Sequence, residues 1–143
     1  MQEFSINIEV RWGDLDPNFH VLHSKYFDFG AYCRMYFLTK NGITVQLMKV
    51  HHINPIIFRE ECLFKREIQF GDEVRINLKL DKLSDDHRKW TMVHEIWLNN
   101  DMLAAQITCD GAWMDTKLRK VVSPPEAVKK VLDVIPKTYN FNR

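Results

Sequence analysis

The residues best suited to chemistry lie together in residues 11–24, called here the site segment. It holds two carboxylates, an amide and two imidazoles: Asp14, Asp16, Asn18, His20 and His23. A carboxylate can act as a nucleophile or activate water, and an imidazole can take part in acid/base chemistry. If a helix begins beside them, its free backbone N–H groups can polarise a carbonyl and stabilise an oxyanion. The segment therefore predicts an acid/base site between a strand and a helix.

The same residue types also suit a purely structural loop. Asp16 and Asn18 could form turns with the nearby backbone, and Ser24 could cap the following helix. The residues alone leave this alternative open. His20 and His23 could pair as metal ligands, but no companion Cys, Asp or Glu falls at a convincing spacing. We therefore expect neither a metal nor a cofactor.

Two elements would position the site segment, a strand before it and a helix after it. Apolar and polar residues alternate over residues 3–12, the period that a strand with one buried face requires. Pro17 blocks continuation of the extended chain. Apolar residues then recur at spacings of three and four, which predicts a helix over about residues 24–40 that ends at Asn41-Gly42.

The remainder of the chain has the pattern of strands joined by turns. A long extended stretch covers residues 55–70, and alternation predicts three further strands, at 74–80, 90–98 and 103–113. The turn signals between these strands are Gly71-Asp72, Ser84-Asp85-Asp86 and Asn99-Asn100-Asp101. Ser123-Pro124-Pro125-Glu126 has the pattern of a capping box and predicts a terminal helix to about Val134. Residues 43–55 stay ambiguous.

This order predicts an α+β fold in one domain over residues 1–143. Only the first connection carries a long helix, and the later strands follow one another through turns, so the sheet should be largely antiparallel. Five long strands have one helix to cover them, which leaves apolar residues such as Val93 and Trp97 on the opposite face. A partner subunit would cover these residues.

Composition argues against several classes of protein. Twenty basic and nineteen acidic residues give a net charge of +1, so neither a general nucleic-acid binder nor a membrane-surface binder is indicated. No apolar run approaches the roughly 18 residues of a membrane-spanning helix, and the N-terminus lacks the apolar stretch of a secretory signal. The three cysteines are far apart and form no CxxC motif, which predicts free thiols and a cytoplasmic location.

Two stretches of sequence carry a resemblance to a known family. Residues 14–26, Asp-Leu-Asp-Pro-Asn-Phe-His-Val-Leu-His-Ser-Lys-Tyr, resemble the Asp-x-Asp-x-Asn-x-His-Val-Asn-Asn-x-x-Tyr signature of hotdog-fold thioesterases, especially acyl-ACP thioesterases. They are also similar to the Asp-x-Asp-Pro segment of the 4-hydroxybenzoyl-CoA thioesterase family. Residues 64–72, Phe-Lys-Arg-Glu-Ile-Gln-Phe-Gly-Asp, are like the Tyr-Arg-Arg-Glu and Phe-Gly-Asp elements of that fold. The resemblance spans residues 3 to about 134. It implies a single hotdog domain: a five-stranded antiparallel sheet wrapped around a central helix, with a short C-terminal helix.

The resemblance also implies roles for the matched residues. Asp16 would be the nucleophile or base toward a thioester, and Asn18 and His20 would orient the nucleophile or the substrate. His23 would offer its backbone N–H to the thioester carbonyl, with Ser24 beside it at the start of the central helix.

Three positions depart from the family pattern. Leu22 stands where Asn is usual and Phe19 where bacterial members often have Gly, so both bear on the shape of the pocket. Glu67 takes the place of a strand glutamate of the acyl-ACP type, where many acyl-CoA relatives have Pro. Its catalytic role competes with the alternative of a solvated surface charge.

The function implied by the resemblance is hydrolysis of an acyl thioester of CoA or acyl carrier protein, a reaction of fatty acid metabolism. The enzyme would be a homodimer or homotetramer. A non-catalytic module that binds acyl thioesters is the first alternative, because a fold can bind a ligand without transforming it. A hotdog hydratase or dehydratase is the second and less favoured one.

Overall fold

The computed structural model describes residues 3–99 and 101–142. The strands are β1 (Ser5–Ile8), β2 (Ile53–Phe64), β3 (Val74–Asn77), β4 (Lys79–Leu83), β5 (Lys89–Leu98), β6 (Met102–Asp115) and β7 (Lys120–Val121). The helices are α1 (Lys25–Lys40), α2 (Val45–His51) and α3 (Glu126–Asp133), and a 3₁₀ turn covers Trp12–Asp14. Among the described residues, none of the helices has the length and apolar character needed to cross a membrane.

The strands form one antiparallel sheet in the order β1-β3-β5-β6-β2. β4 continues β3 beside β5, and the two-residue β7 pairs with the end of β6. The predicted five-stranded antiparallel sheet, with its central helix and short C-terminal helix, is therefore confirmed. The ambiguous residues 43–55 form α2 and the beginning of β2.

The helix α1 packs one face onto the sheet. Phe29, Cys33 and Phe37 recur every four residues along α1 and are all buried, because residues at that spacing lie on the same side of a helix. They belong to the same apolar core as Ile96 and Ile107 of the sheet. The amphipathic pattern seen in the sequence thus sets which face of α1 meets the sheet.

A buried polar pair lies within this core. Nη1 of Arg34 donates to Nε2 of His94 at 3.0 Å, and Nδ1 of His94 donates to the carbonyl oxygen of Asn77 at 2.7 Å. Complete burial lowers the pKa of His94 to about 3, so the ring is neutral at physiological pH. A Cβ at Gly30 would lie 3.2 Å from the His94 ring, which explains why a glycine stands in the middle of α1.

The prediction of hairpins between all the later strands is wrong at one connection. β2 pairs with β6 at one edge of the sheet, whereas β3 pairs with β1 and β5 near the other edge. Residues 65–73, called here the crossing link, therefore run from one side of the sheet to the other. The extended stretch predicted to reach residue 70 ends as a strand at Phe64. Gly71 adopts φ 97°, so the turn signal does mark a bend in the chain. It does not show that the strand after the bend pairs with β1 and β5 rather than with β2.

Several local predictions also differ from the structure. α3 begins after Pro125, and the Ser123 hydroxyl donates to the Asp86 carbonyl rather than capping the helix. Ser24 occupies the N-cap position of α1, but its side chain accepts no hydrogen bond from the helix. Val93, expected to be left over on the outer face, is buried. β1 covers only part of the strand expected over 3–12, and Asn100 of the predicted turn lies outside the described residues.

Gly111 provides a test of the sheet packing. A Cβ there would overlap the carbonyl oxygen of Ile56 and the indole ring of Trp90. We expect Gly111→Ala to lower the free energy of unfolding by about 3 kcal/mol, because neither the strand backbone nor the buried ring can move aside. Gly13→Ala is the matched control, since nothing lies within 4 Å of its added Cβ. Urea unfolding of both variants measures the difference, and equal stabilities would contradict this account of the packing.

Candidate active site

A cavity of about 310 Å³ lies between the site segment, the beginning of α1 and the crossing link. Its lining includes four of the predicted residues: Asp16, His20, His23 and Glu67. Val21, Tyr26, Phe64, Lys65 and Arg66 complete it. We call this cavity the Asp16 pocket.

Backbone hydrogen bonds hold the site segment in place. The N–H of Phe19 donates to the carbonyl of Asp16 at 2.9 Å, and the N–H of Asp16 donates to the carbonyl of His20 at 2.8 Å. This closes a tight turn that follows from the Asp-Pro-Asn sequence. Val21 then donates to Ile68 of the crossing link at 2.8 Å, and His20 forms an isolated bridge with Gln69. The turn is therefore attached to the crossing link, which forms the opposite wall of the pocket.

Asp16 and His20 are in direct contact in this pocket. Oδ2 of Asp16 lies 3.0 Å from Nδ1 of His20, and both side chains are largely but not completely buried. Oδ1 of Asp16 accepts the backbone N–H of Asn18 at 2.8 Å. Nε2 of His20 faces Oε1 of Glu67 at 3.8 Å, although the Glu67 side chain is 66% exposed. The carboxylate is thus oriented by a ring and a backbone N–H and remains open to the cavity.

The other predicted residues are placed less centrally. Asn18 and Ser24 are exposed and lie outside the pocket lining, and Asn18 reaches Asp16 through its backbone rather than its amide. His23 lines the pocket just before α1 begins. Glu67 follows the end of β2 instead of lying on a strand. The structure therefore brings together Asp16, His20, His23 and Glu67.

Asp14 has a different environment from Asp16, although only one residue separates them. Its side chain is 1% exposed and accepts the backbone N–H of Arg11 at 2.9 Å and its guanidinium at 3.2 Å. Burial would raise the pKa of Asp14, but the hydrogen bonds from Arg11 outweigh it and lower that pKa. Asp14 closes the 3₁₀ turn and does not line the pocket.

Sequence reasoning did not single out two features of the pocket wall. Tyr26 is buried, packs edge-on against Phe64 with ring centroids 4.9 Å apart, and donates its hydroxyl to the Arg66 carbonyl at 3.5 Å. The crossing link also brings the cations Lys65 and Arg66 to the pocket, and their backbone N–H groups both donate to Ala104. The sequence signal for the first feature was Tyr26 itself, which is the last residue of the family motif over residues 14–26. Within the described part of the chain, no three His, Cys, Asp or Glu side chains are grouped to hold a metal ion.

The family relationship follows from a comparison with known sequences. A family model described as the thioesterase-like superfamily matches residues 10–132, which include the whole pocket. The chain belongs to the thioesterase-like superfamily. Its curled antiparallel sheet around a central helix is the hotdog fold of that superfamily. A search of curated protein sequences finds no match.

Solved structures show the same fold at low sequence identity. A hypothetical protein from Aquifex aeolicus is 23% identical, with a TM-score of 0.82 over 90% of this chain and 98% of that one. A 1,4-dihydroxy-2-naphthoyl-CoA thioesterase from Synechocystis is 16% identical, with a TM-score of 0.83 over 93% and 97% of the two chains. A Thermus thermophilus thioesterase complexed with coenzyme A and Zn is 23% identical, with a TM-score of 0.73 over 89% of each chain.

Phe19 is strained at the tip of the site segment. Its φ is 68°, a left-handed conformation that is unfavourable for a bulky residue, and its side chain is 67% exposed. The nearest aromatic ring is Trp12, whose centroid lies 6.4 Å away and which is also exposed. The family glycine noted at this position suits the same backbone without strain.

The strain at Phe19 can be measured by comparing two variants that both lack the ring. We expect Phe19→Gly to be more stable than Phe19→Ala by about 1 kcal/mol, because only glycine adopts this φ without a Cβ clash. This reverses the usual order, in which alanine stabilises the folded state relative to glycine. Thermal and urea unfolding of the pair provide the measurement, and a more stable alanine variant would contradict the left-handed conformation.

Proposed function

We propose that the protein hydrolyses acyl thioesters of CoA or acyl carrier protein to a free acid and a thiol. The observation that carries the proposal is the Asp16 carboxylate, which lies 3.0 Å from His20 in a pocket at the start of α1. Membership of the thioesterase-like superfamily supports the reaction type. The Synechocystis thioesterase and the coenzyme A complex from Thermus thermophilus support a CoA thioester as substrate.

The proposed mechanism assigns the central step to Asp16. Either its carboxylate attacks the thioester carbonyl and water later hydrolyses the resulting anhydride, or it removes a proton from the attacking water. In both routes the C–S bond breaks, the thiolate takes up a proton, and the acyl carbon gains a water oxygen. His20 orients the carboxylate, and the backbone N–H of Asn18 holds its other oxygen.

The pocket walls complete the proposed substrate contacts. The backbone N–H groups of His23 and Ser24, just before α1, would stabilise the oxyanion that forms on the carbonyl oxygen, because those of Lys25 and Tyr26 already donate to preceding carbonyls. Glu67 would act through His20, which it faces at 3.8 Å. Lys65 and Arg66 favour a thiol carrier with phosphate groups, as both CoA and the pantetheine arm of a carrier protein have.

Replacement of Asp16 separates catalysis from scaffolding. Asp16→Asn keeps the size of the side chain but removes the charge, so kcat should fall roughly 10²–10⁴-fold while the melting temperature changes little. Thiol release from acyl-CoA substrates of different chain lengths measures the rate. Normal turnover in this variant would overturn the role of Asp16.

Asp14→Asn is the matched control in the same segment. It weakens the ion pair between the buried Asp14 carboxylate and the exposed Arg11 side chain, and it should lower stability while leaving kcat close to that of the wild type. The opposite pattern, with loss of activity only at Asp14, would mean that the motif has been assigned two residues out of register. Wild-type protein that binds acyl-CoA without releasing thiol would instead be a binding module, and hydration of enoyl-CoA would indicate a hydratase.

The proposed enzyme is a dimer, or a dimer of dimers, joined along β2. This twelve-residue edge strand pairs only with β6 among the described residues, and Ile57, Phe58 and Leu63 on it are about half exposed. A long edge with apolar side chains favours pairing with another strand, and a two-fold axis would pair β2 with its copy.

A charge placed on β2 tests this assembly. We expect light scattering at micromolar concentration to show a dimer or tetramer, and Phe58→Lys to weaken it because a lysine would be buried against the partner. Val134→Lys is the control, since Val134 is similarly exposed but lies at the end of α3. A monomeric wild-type protein would contradict the proposed assembly.

A further inference from the structure

Tyr26 connects the first turn of α1 to the crossing link. Its ring packs edge-on against Phe64, the last residue of β2, with ring centroids 4.9 Å apart. Its hydroxyl donates to the carbonyl oxygen of Arg66 at 3.5 Å, and the backbone N–H of Ile68 acts on the same hydroxyl as a hydrogen-bond donor. Tyr26 is buried, so these contacts are made away from solvent.

The two backbone groups that meet this hydroxyl lie on either side of Glu67. The other backbone hydrogen bonds nearby use different groups of the link. The N–H of Arg66 donates to Ala104, and the carbonyl of Ile68 accepts from Val21. In the described part of the chain, the Arg66 carbonyl and the Ile68 N–H meet no polar partner besides the hydroxyl. Because buried backbone groups are normally hydrogen-bonded, the hydroxyl fixes both peptide groups that flank Glu67.

The hydroxyl itself has no part in the chemical step. A phenol has a single O–H donor, and here the Arg66 carbonyl takes it. Burial raises the pKa of Tyr26, and the hydrogen bond from Ile68 only partly offsets this, so the hydroxyl stays protonated at physiological pH. It is therefore neither a base nor a nucleophile, and its contacts serve the backbone of the link.

We infer that Tyr26 is a positioning residue whose hydroxyl fixes the backbone around Glu67 and so holds the Glu67 carboxylate beside His20. That carboxylate faces Nε2 of His20 at 3.8 Å, and Nδ1 of the same ring lies 3.0 Å from Asp16. The Glu67 side chain is largely exposed, so its position depends on its backbone rather than on packing. The inference rests on the proposed thioesterase function and adds a residue that acts through Glu67.

Removal of the hydroxyl alone tests this role. Tyr26→Phe keeps the ring that packs against Phe64, and in a thiol-release assay it should lower kcat about tenfold with KM nearly unchanged, because the reacting groups shift while the walls of the pocket remain. Tyr32→Phe is the matched control, since Tyr32 also lies on α1 but is exposed and outside the Asp16 pocket. It should change neither constant. A wild-type kcat in Tyr26→Phe would overturn the inference and leave the proposed function standing.

A double-mutant cycle shows whether the effect passes through Glu67. Glu67→Gln removes the charge that faces His20 and should lower kcat. In that background Tyr26→Phe should lower kcat further by less than about twofold, because the residue it positions no longer carries the charge. The same fold loss in both backgrounds would mean that Tyr26 acts independently of Glu67, which overturns the inference. A wild-type kcat in Glu67→Gln would overturn it as well.

Amide hydrogen exchange tests the contact itself without any catalysis. In Tyr26→Phe the Ile68 amide should exchange about tenfold faster than in the wild type, because it loses the hydroxyl as its partner. The Arg66 amide, which donates to Ala104 at 3.0 Å, should keep its rate. Equal acceleration at both amides, or none at Ile68, would overturn the inference. Absence of thioester hydrolysis in the wild type would instead overturn the proposed function, and exchange at Ile68 would still decide the contact.

Discussion

The geometry of the candidate site depends on the attachment of the site segment to the crossing link. The hydrogen bond from Val21 to Ile68 and the bridge between His20 and Gln69 join two stretches nearly fifty residues apart in sequence. That attachment exists because β2 lies at one edge of the sheet and β3 near the other, so the chain between them must pass the start of α1. Without this crossing, Glu67, Lys65 and Arg66 would not share a pocket with Asp16.

The helix α1 connects the site to the rigid core. At its beginning, Tyr26 packs against Phe64 and forms part of the pocket wall. Two turns later, Arg34 hydrogen-bonds to the neutral His94 ring. Gly30 has no side chain, which allows that ring to lie close to the helix. A helix fixed in this way at its centre keeps its first N–H groups in a constant position, which electrostatic stabilisation of an oxyanion requires.

The two carboxylates of the site segment lie in different environments, although they are only two positions apart. The Asp14 side chain is buried and pairs with Arg11, and its carboxylate stabilises the 3₁₀ turn. Asp16 instead contacts the His20 ring, accepts the backbone N–H groups of Asn18 and His20, and faces a cavity. Similar residues in one motif thus have different surroundings, because one side chain is turned into the protein and the other into the pocket.

The sequence by itself determined the elements and the local part of the site. Alternation of apolar residues gave most of the strands, four-residue spacing gave α1, and the motif grouped Asp16, His20 and His23, because these signals act over a few residues. Ser24 is at the N-cap position of α1 without a side-chain cap hydrogen bond, and the predicted cap at Ser123 was wrong because its hydroxyl donates to the distant Asp86 carbonyl.

Only the tertiary structure decided the order of the strands, the position of Glu67 beside His20 and the burial of Val93. A second cavity, between α1 and the sheet, also appeared only there, because its walls come from four separate parts of the chain: residues 31–38, 55–57, 90–92 and 113. Turn residues show where a chain bends, but the choice of a pairing partner depends on packing among residues far apart in sequence, which no local pattern records.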